Sequence, residues 1–129
     1  MPTGRPFRVL IIEDNHATAD SLRLLLDLRG HEVRVAYDGL AGVLAAREQP
    51  PDVVLCDIGL PGLDGYGVAA ALRDHPATAA ARLIAITAYG SDEARRRSQQ
   101  VGFDRHFVKP VDPQVLLAML AALGTASPD

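Results

Sequence analysis

Short apolar runs rich in β-branched side chains alternate along the chain with longer segments in which leucine and alanine recur at helical spacing. Arg8-Val9-Leu10-Ile11-Ile12 is one such run, and its lack of polar alternation predicts a strand covered on both faces. Asp14 or Asn15 then caps a helix that carries Leu22, Leu25 and Leu26 on one face and stops at Gly30. Glu32 to Ala36 reads as the second strand, Leu40 to Glu48 as a helix closed by Pro50-Pro51, and Asp52 to Asp57 as the third strand. After a turn at Gly59-Leu60-Pro61-Gly62, Asp64 caps a helix through Leu72. Arg82 to Thr87 is the fourth strand, Ser91-Asp92-Glu93 opens the next helix, and Phe103 to Val108 is the fifth strand. Asp112-Pro113 starts a last helix with Leu116, Met119, Leu120 and Leu123 on one face.

Five strands alternating with five helices predict an α/β fold, a doubly wound parallel sheet covered on both faces. Composition agrees: 48% of the 129 residues are hydrophobic and 22% charged, enough apolar material for one core. Residues 7–123 form the expected domain, with loose ends at 1–6 and 124–129. A formal charge of −3 gives no basic surplus to hold a phosphate backbone, so nucleic acid is not an expected partner of this chain. The one cysteine, Cys56, excludes an internal disulfide and a cysteine-based zinc site, and fits a reducing compartment. No apolar run approaches the ~18 residues of a membrane helix, and the start lacks a secretory h-region, so the expectation is a cytoplasmic protein without a membrane partner.

In a sheet of this kind the chemistry sits past the carboxyl ends of the strands. Glu13 and Asp14 follow the first strand, Asp57 ends the third, Thr87-Ala88 the fourth, and Lys109-Pro110 the fifth. Singly, Asp14 reads as a helix cap, Thr87 as a strand former and Lys109 as a solvated lysine. Jointly they place three carboxylates, a hydroxyl and an ammonium on one rim. Close carboxylates call for a cation, and an all-oxygen set suits Mg2+, or Mn2+, which keeps positions for water or phosphate oxygens. A carboxylate beside such an ion, with a lysine and a hydroxyl aimed at the same point, suits attack on a phosphoryl group. A dinucleotide site is excluded by acids where glycines are needed, no GxxxxGK[ST] occurs, and Gly59 stands where phosphatases of the haloacid dehalogenase type carry a second aspartate.

This set resembles the receiver domain of bacterial two-component response regulators, of the single-domain chemotaxis-receiver type. The match rests on Glu13-Asp14, on Asp57 with its Pro61-Gly62 loop, on Thr87-Ala88 and on Lys109-Pro110, and covers about residues 7–123. The resemblance implies a flavodoxin-like (βα)5 sandwich with strand order 2-1-3-4-5. It implies that Asp57 accepts a phosphoryl group from a phosphohistidine on a histidine kinase or histidine phosphotransfer protein. Asp14, Asp57 and the Gly59 carbonyl would bind Mg2+, with Glu13 nearby. Lys109 and Thr87 would contact phosphoryl oxygens, and Gly59 and Tyr89 would flank the water route and affect phosphoryl lifetime. The chain would be a switch, not an enzyme acting on other substrates. Phosphorylation would change the face made by the fourth helix, fifth strand and fifth helix.

The family's movable aromatic is replaced here by His106, read either as a responsive ring or as an exposed strand residue, while Phe107 alternates into the core. The helix from about Asp92 to Val101 has a thin apolar face, Ala94 and Val101, and an Arg95-Arg96-Arg97 run, which marks either an easily shifted helix or merely a solvated face. The leucine-rich first helix is where a donor four-helix bundle would dock. The Gly102-Phe103-Asp104 to Asp112 stretch is similar to receivers at the end of hybrid histidine kinases. The output would lie in a downstream effector protein or a fused domain outside these 129 residues. The alternative function is a pseudo-receiver that binds partners without phosphorylation.

Overall fold

The structure, a computed structural model, describes residues 6–125, with side chains through residue 123. Ten elements alternate: β1 (Arg8–Ile12), α1 (His16–Leu28), β2 (Glu32–Ala36), α2 (Gly39–Glu48), β3 (Val53–Asp57), α3 (Gly65–Arg73), β4 (Arg82–Thr87), α4 (Asp92–Val101), β5 (Arg105–Val108) and α5 (Pro113–Thr125). All pairings are parallel and the order is β2-β1-β3-β4-β5, the expected (βα)5 arrangement. Of the expected loose ends, residues 1–5 and 126–129 lie outside the described residues, and 124 and 125 belong to α5.

The pleat sorts the apolar strand residues into two layers. Leu10, Ile12, Val54, Cys56, Leu83 and Ala85 pack under α2, α3 and the end of α4 with Val43, Ala46, Val68 and Leu72. Val9, Ile11, Val53, Leu55, Ile84 and Ile86 pack under α1 and α5 with Ala19, Leu26, Leu116 and Leu120. Each large aliphatic side chain so buried contributes about 1.5–3 kcal/mol, which explains why continuous rather than alternating runs mark these strands.

Helix starts follow the capping residues. Asn15, not Asp14, caps α1, its side chain accepting from Thr18 N at 2.9 Å; Asp38, Asp64 and Ser91 cap α2, α3 and α4 likewise. β3, α2 and α3 differ from expectation by one residue at one end each, and the largest difference is at β5, which begins at Arg105, not Phe103. Gly102 closes α4 in the left-handed region at φ 108°, and the Phe103 N–H still serves the helix, donating to the Ser98 carbonyl at 3.0 Å. Phe103 is a core residue on a helix cap, and Asp104 ties it to β4 by accepting from Leu83 N at 2.9 Å.

Candidate functional site

Strand order reverses around β1, so the carboxyl ends of β1 and β3 border the crevice where such sheets place their ligands. Glu13 and Asp57 sit there, both buried, beside the exposed Asp14. Carboxylate oxygens of the three lie within 4.8 Å of one another. Lys109 arrives from β5, its backbone N–H donating to the Thr87 carbonyl at 2.7 Å. Its Nζ stands 3.0 Å from Glu13 Oε1 and 3.3 Å from Asp57 Oδ2. The second oxygen of each buried acid is held by backbone: Asn15 N donates to Glu13 Oε2 at 3.1 Å and Gly59 N to Asp57 Oδ1 at 3.1 Å.

Burial, reinforced by the charge of Asp57, holds the Glu13 carboxyl above its usual range against the pull of the Asn15 N–H and Lys109. Burial alone would lower the Lys109 ammonium, but its pairs with Glu13 and Asp57 outweigh that and raise it. Three carboxylates thus face one ammonium, an uncompensated set of hard oxygen donors that fits Mg2+. Cys56, one residue from Asp57, takes no part: burial pushes its thiol far up, leaving it an inert core group.

The loop after β3 is fixed by close packing. Gly65 N donates to the Ile58 carbonyl at 2.9 Å, and a Cβ on Gly65 would lie 2.6 Å from both the Asp57 carbonyl oxygen and Ile58 Cα. Only glycine allows α3 to start so close to the acidic strand end. A Cβ on Gly59, by contrast, would meet only Asp57 Oδ1 at 3.9 Å.

Thr87 stands one residue past Ile86, which pairs with Asp57 across β3 and β4. Its buried hydroxyl accepts the Tyr89 N–H at 3.0 Å, and the Tyr89 ring is exposed. His106 is not the exposed strand residue of one reading: its half-buried ring is bonded at both nitrogens, Nδ1 to Ser98 Oγ at 2.9 Å and Nε2 to the Tyr89 carbonyl at 3.0 Å. Phe107 packs on the α1–α5 side, as alternation requires. Sequence reading missed Ser98, although Ala94, Ser98 and Val101 share helical spacing. It also missed Arg73, whose guanidinium bonds the Gly102, Ala79 and Ala81 carbonyls and Asp104 and so ties the end of α4 to the preceding loop. No single-residue pattern signals either.

The model of the response regulator receiver domain family matches residues 9–121. The chain belongs to that family. It is 34% identical over 116 residues to Protein PilH of Pseudomonas aeruginosa, covering 90% of this chain and 96% of that one. It is equally similar to the DNA-binding dual master transcriptional regulator RpaA of a Synechocystis strain, but spans only 48% of that protein. Among solved structures, a receiver domain protein (CheY-like) from Methanospirillum hungatei superposes with a TM-score of 0.81 at 30% identity, covering 90% of this chain and 91% of that one. The receiver domain of the sensor histidine kinase PA1611 from Pseudomonas aeruginosa, solved with a magnesium ion coordinated in its active site cleft, gives a TM-score of 0.83 at 27% identity over 95% of this receiver and 100% of that chain. The site is accordingly a receiver's acidic pocket, able to hold a metal ion, in a signalling domain of two-component systems. Among the described residues no helix is long and apolar enough to cross a membrane.

Proposed function

We propose that this receiver, residues 7–123, is a phosphorylation switch in which Asp57 accepts the phosphoryl group of a phosphohistidine. A carboxylate oxygen forms the new P–O bond, the P–N bond breaks, and the donor imidazole nitrogen leaves with the electron pair and takes a proton. Water later attacks phosphorus, releasing phosphate and restoring the carboxylate. The chain catalyses only its own phosphorylation and dephosphorylation. The observation that carries this reading is Lys109 Nζ lying 3.3 Å from Asp57 Oδ2 within a cluster of three carboxylates.

Asp14, Asp57 and the Gly59 carbonyl would hold Mg2+, or Mn2+, with Glu13 close by. When bound, that ion neutralises the clustered acids and draws phosphoryl oxygens toward them. Lys109 pairs with one phosphoryl oxygen, and Thr87 donates its hydroxyl to another after giving up the Tyr89 N–H. Gly59 and Tyr89 flank the approach of hydrolytic water. The donor is a histidine kinase or phosphotransfer protein, docking along α1, whose Thr18 and Leu22 line a largely apolar cavity of about 490 Å3 beside the acidic rim. The output passes to a separate effector or a fused domain. A reducing cytoplasm suits the lone buried cysteine.

Peptide mapping after incubation of the full chain with acetyl phosphate and Mg2+ tests this. One phosphoryl group is expected on the peptide containing Asp57, lost with EDTA and in Asp57→Asn. Magnesium binding without modification by acetyl phosphate or any phosphohistidine donor would favour the pseudo-receiver, and modification elsewhere would refute the assignment of Asp57.

A further inference from the structure

Leu22 of α1, Leu116 of α5, Ile11 and Leu55 of the sheet and Val111 of the β5–α5 loop line a largely apolar cavity of about 490 Å3. Protein interiors seldom leave a void much larger than one water unfilled, and this one has the size of a small-molecule site, about 300–1,000 Å3. The polar groups in its lining belong to one end: Glu13, Asp57 and Lys109 follow or close strands at the acidic rim, and Thr18 lies in the first turn of α1. A cavity so built selects a molecule with an apolar body and one polar head. The rim sets the sign of that head. Lys109 Nζ is already shared between Glu13 Oε1 at 3.0 Å and Asp57 Oδ2 at 3.3 Å, which leaves it little to offer an anion. Asp14 brings a third carboxylate within 4.8 Å of the other two. Negative charge is left over, and a positive head answers it.

We infer that this cleft between α1 and α5 is a binding site for an organic cation with an apolar body, an alkyl- or arylalkylammonium. Its chain lies among Leu22, Leu55, Val111 and Leu116, and its ammonium donates to carboxylate oxygens of Glu13 and Asp57. Burial of the chain supplies the affinity, and the charge of the head supplies the selectivity. The head meets oxygens that would also hold Mg2+, so the two cations exclude one another and a chain with the cleft filled is not phosphorylated. That exclusion rests on the Asp57 reading proposed above; the binding site does not.

The test uses the full chain, methyl NMR and three probes of equal length: n-hexylammonium, n-hexanol and hexanoate. Hexylammonium should shift the methyl signals of Leu22, Leu55, Val111 and Leu116 saturably and bind about tenfold more tightly than hexanol, the effect of a charge-assisted hydrogen bond, with hexanoate weakest. Shortening the chain to n-propylammonium should weaken binding about fourfold for each CH2 group removed. Val111→Phe, which puts a ring into the cavity, should abolish the shifts while the circular dichroism of the folded chain is kept. Should that variant not fold, the hexyl-to-propyl comparison on wild type decides whether the chain is buried. Added Mg2+ should weaken hexylammonium binding, and hexylammonium should slow acetyl phosphate labelling of Asp57 in proportion to its occupancy. No methyl shifts at millimolar hexylammonium, equal binding of amine and alcohol, no gain with chain length, or unchanged shifts in a folded Val111→Phe would each overturn the site. Binding that leaves Mg2+ affinity and labelling untouched would overturn the exclusion. A chain that is not labelled even without hexylammonium would overturn the phosphorylation reading and the exclusion together, and the methyl shifts would still decide the cleft.

Discussion

The fifth and fourth helices are attached to the same sheet in opposite ways. α5 buries Leu116, Leu117, Met119 and Leu120 against the strands, whereas α4 buries Ser98 and leaves Arg95, Arg96 and Arg97 in solvent. Apolar burial is non-directional and survives small displacements, so it makes a helix part of the scaffold. Hydrogen bonds are directional, individually weak and lost when one partner turns. The difference teaches where a receiver can change shape at low cost: on the α4 side little apolar surface has to be re-covered, and on the α5 side a cluster of leucines would have to be repacked.

The largest test of that contrast is Leu120→Ala in α5, which should cost about 2–5 kcal/mol through lost burial and a residual cavity. Arg96→Ala in α4 should stay within about 0.5 kcal/mol. Urea unfolding followed by circular dichroism measures both, and comparable losses would erase the distinction. A second pair of variants probes the loop after β3, beside the acidic rim. Gly65→Ala drives a methyl into the Asp57 and Ile58 backbone and should cost about 1–3 kcal/mol while depressing phosphorylation by acetyl phosphate. Gly59→Ala, which meets nothing closer than 3.9 Å, should leave the urea midpoint unchanged and act only on the lifetime of the phosphoryl group, whose water approach it flanks.

The smallest effect belongs to a polar point on the otherwise apolar α1–α5 side. His31 accepts the Phe7 N–H through Nδ1 at 3.0 Å and stacks on the Phe7 ring, and burial holds it below its ordinary value of 6.5. Above that value it is neutral folded and unfolded alike. As pH falls through it the unfolded chain takes the proton first, so stability drops on the acid side. The urea midpoint should therefore decline as pH falls below about 6.5, and His31→Gln should flatten that part of the slope. An unchanged slope would show that His31 does not contribute.

The inner strands were legible because a two-sided parallel sheet demands unbroken apolar runs: β1 and β4 fall on the residues the pattern marks, while the edge strand β2, which alternates charged and apolar residues, was marked by that alternation. β5 was read two residues long because a buried aromatic after a helix looks the same in sequence whether it continues a strand or closes a cap. The acidic rim was legible because its members fall at equivalent strand ends. Their unequal burial was not: that Glu13 is enclosed and paired with Lys109 while Asp14 faces solvent follows from α1 starting with Asn15 as its cap. The partners of His106 were also hidden, because they come from a loop and a helix that only the folded β4–α4–β5 unit brings together.

The most direct test compares α4 with α5 in the same sample. Hydrogen exchange of the full chain, fully phosphorylated at Asp57 and unphosphorylated, should show faster exchange over residues 92–101 and no change over 113–123. Equal responses in both helices, or a phosphorylated chain in which α4 exchanges as before, would contradict the account.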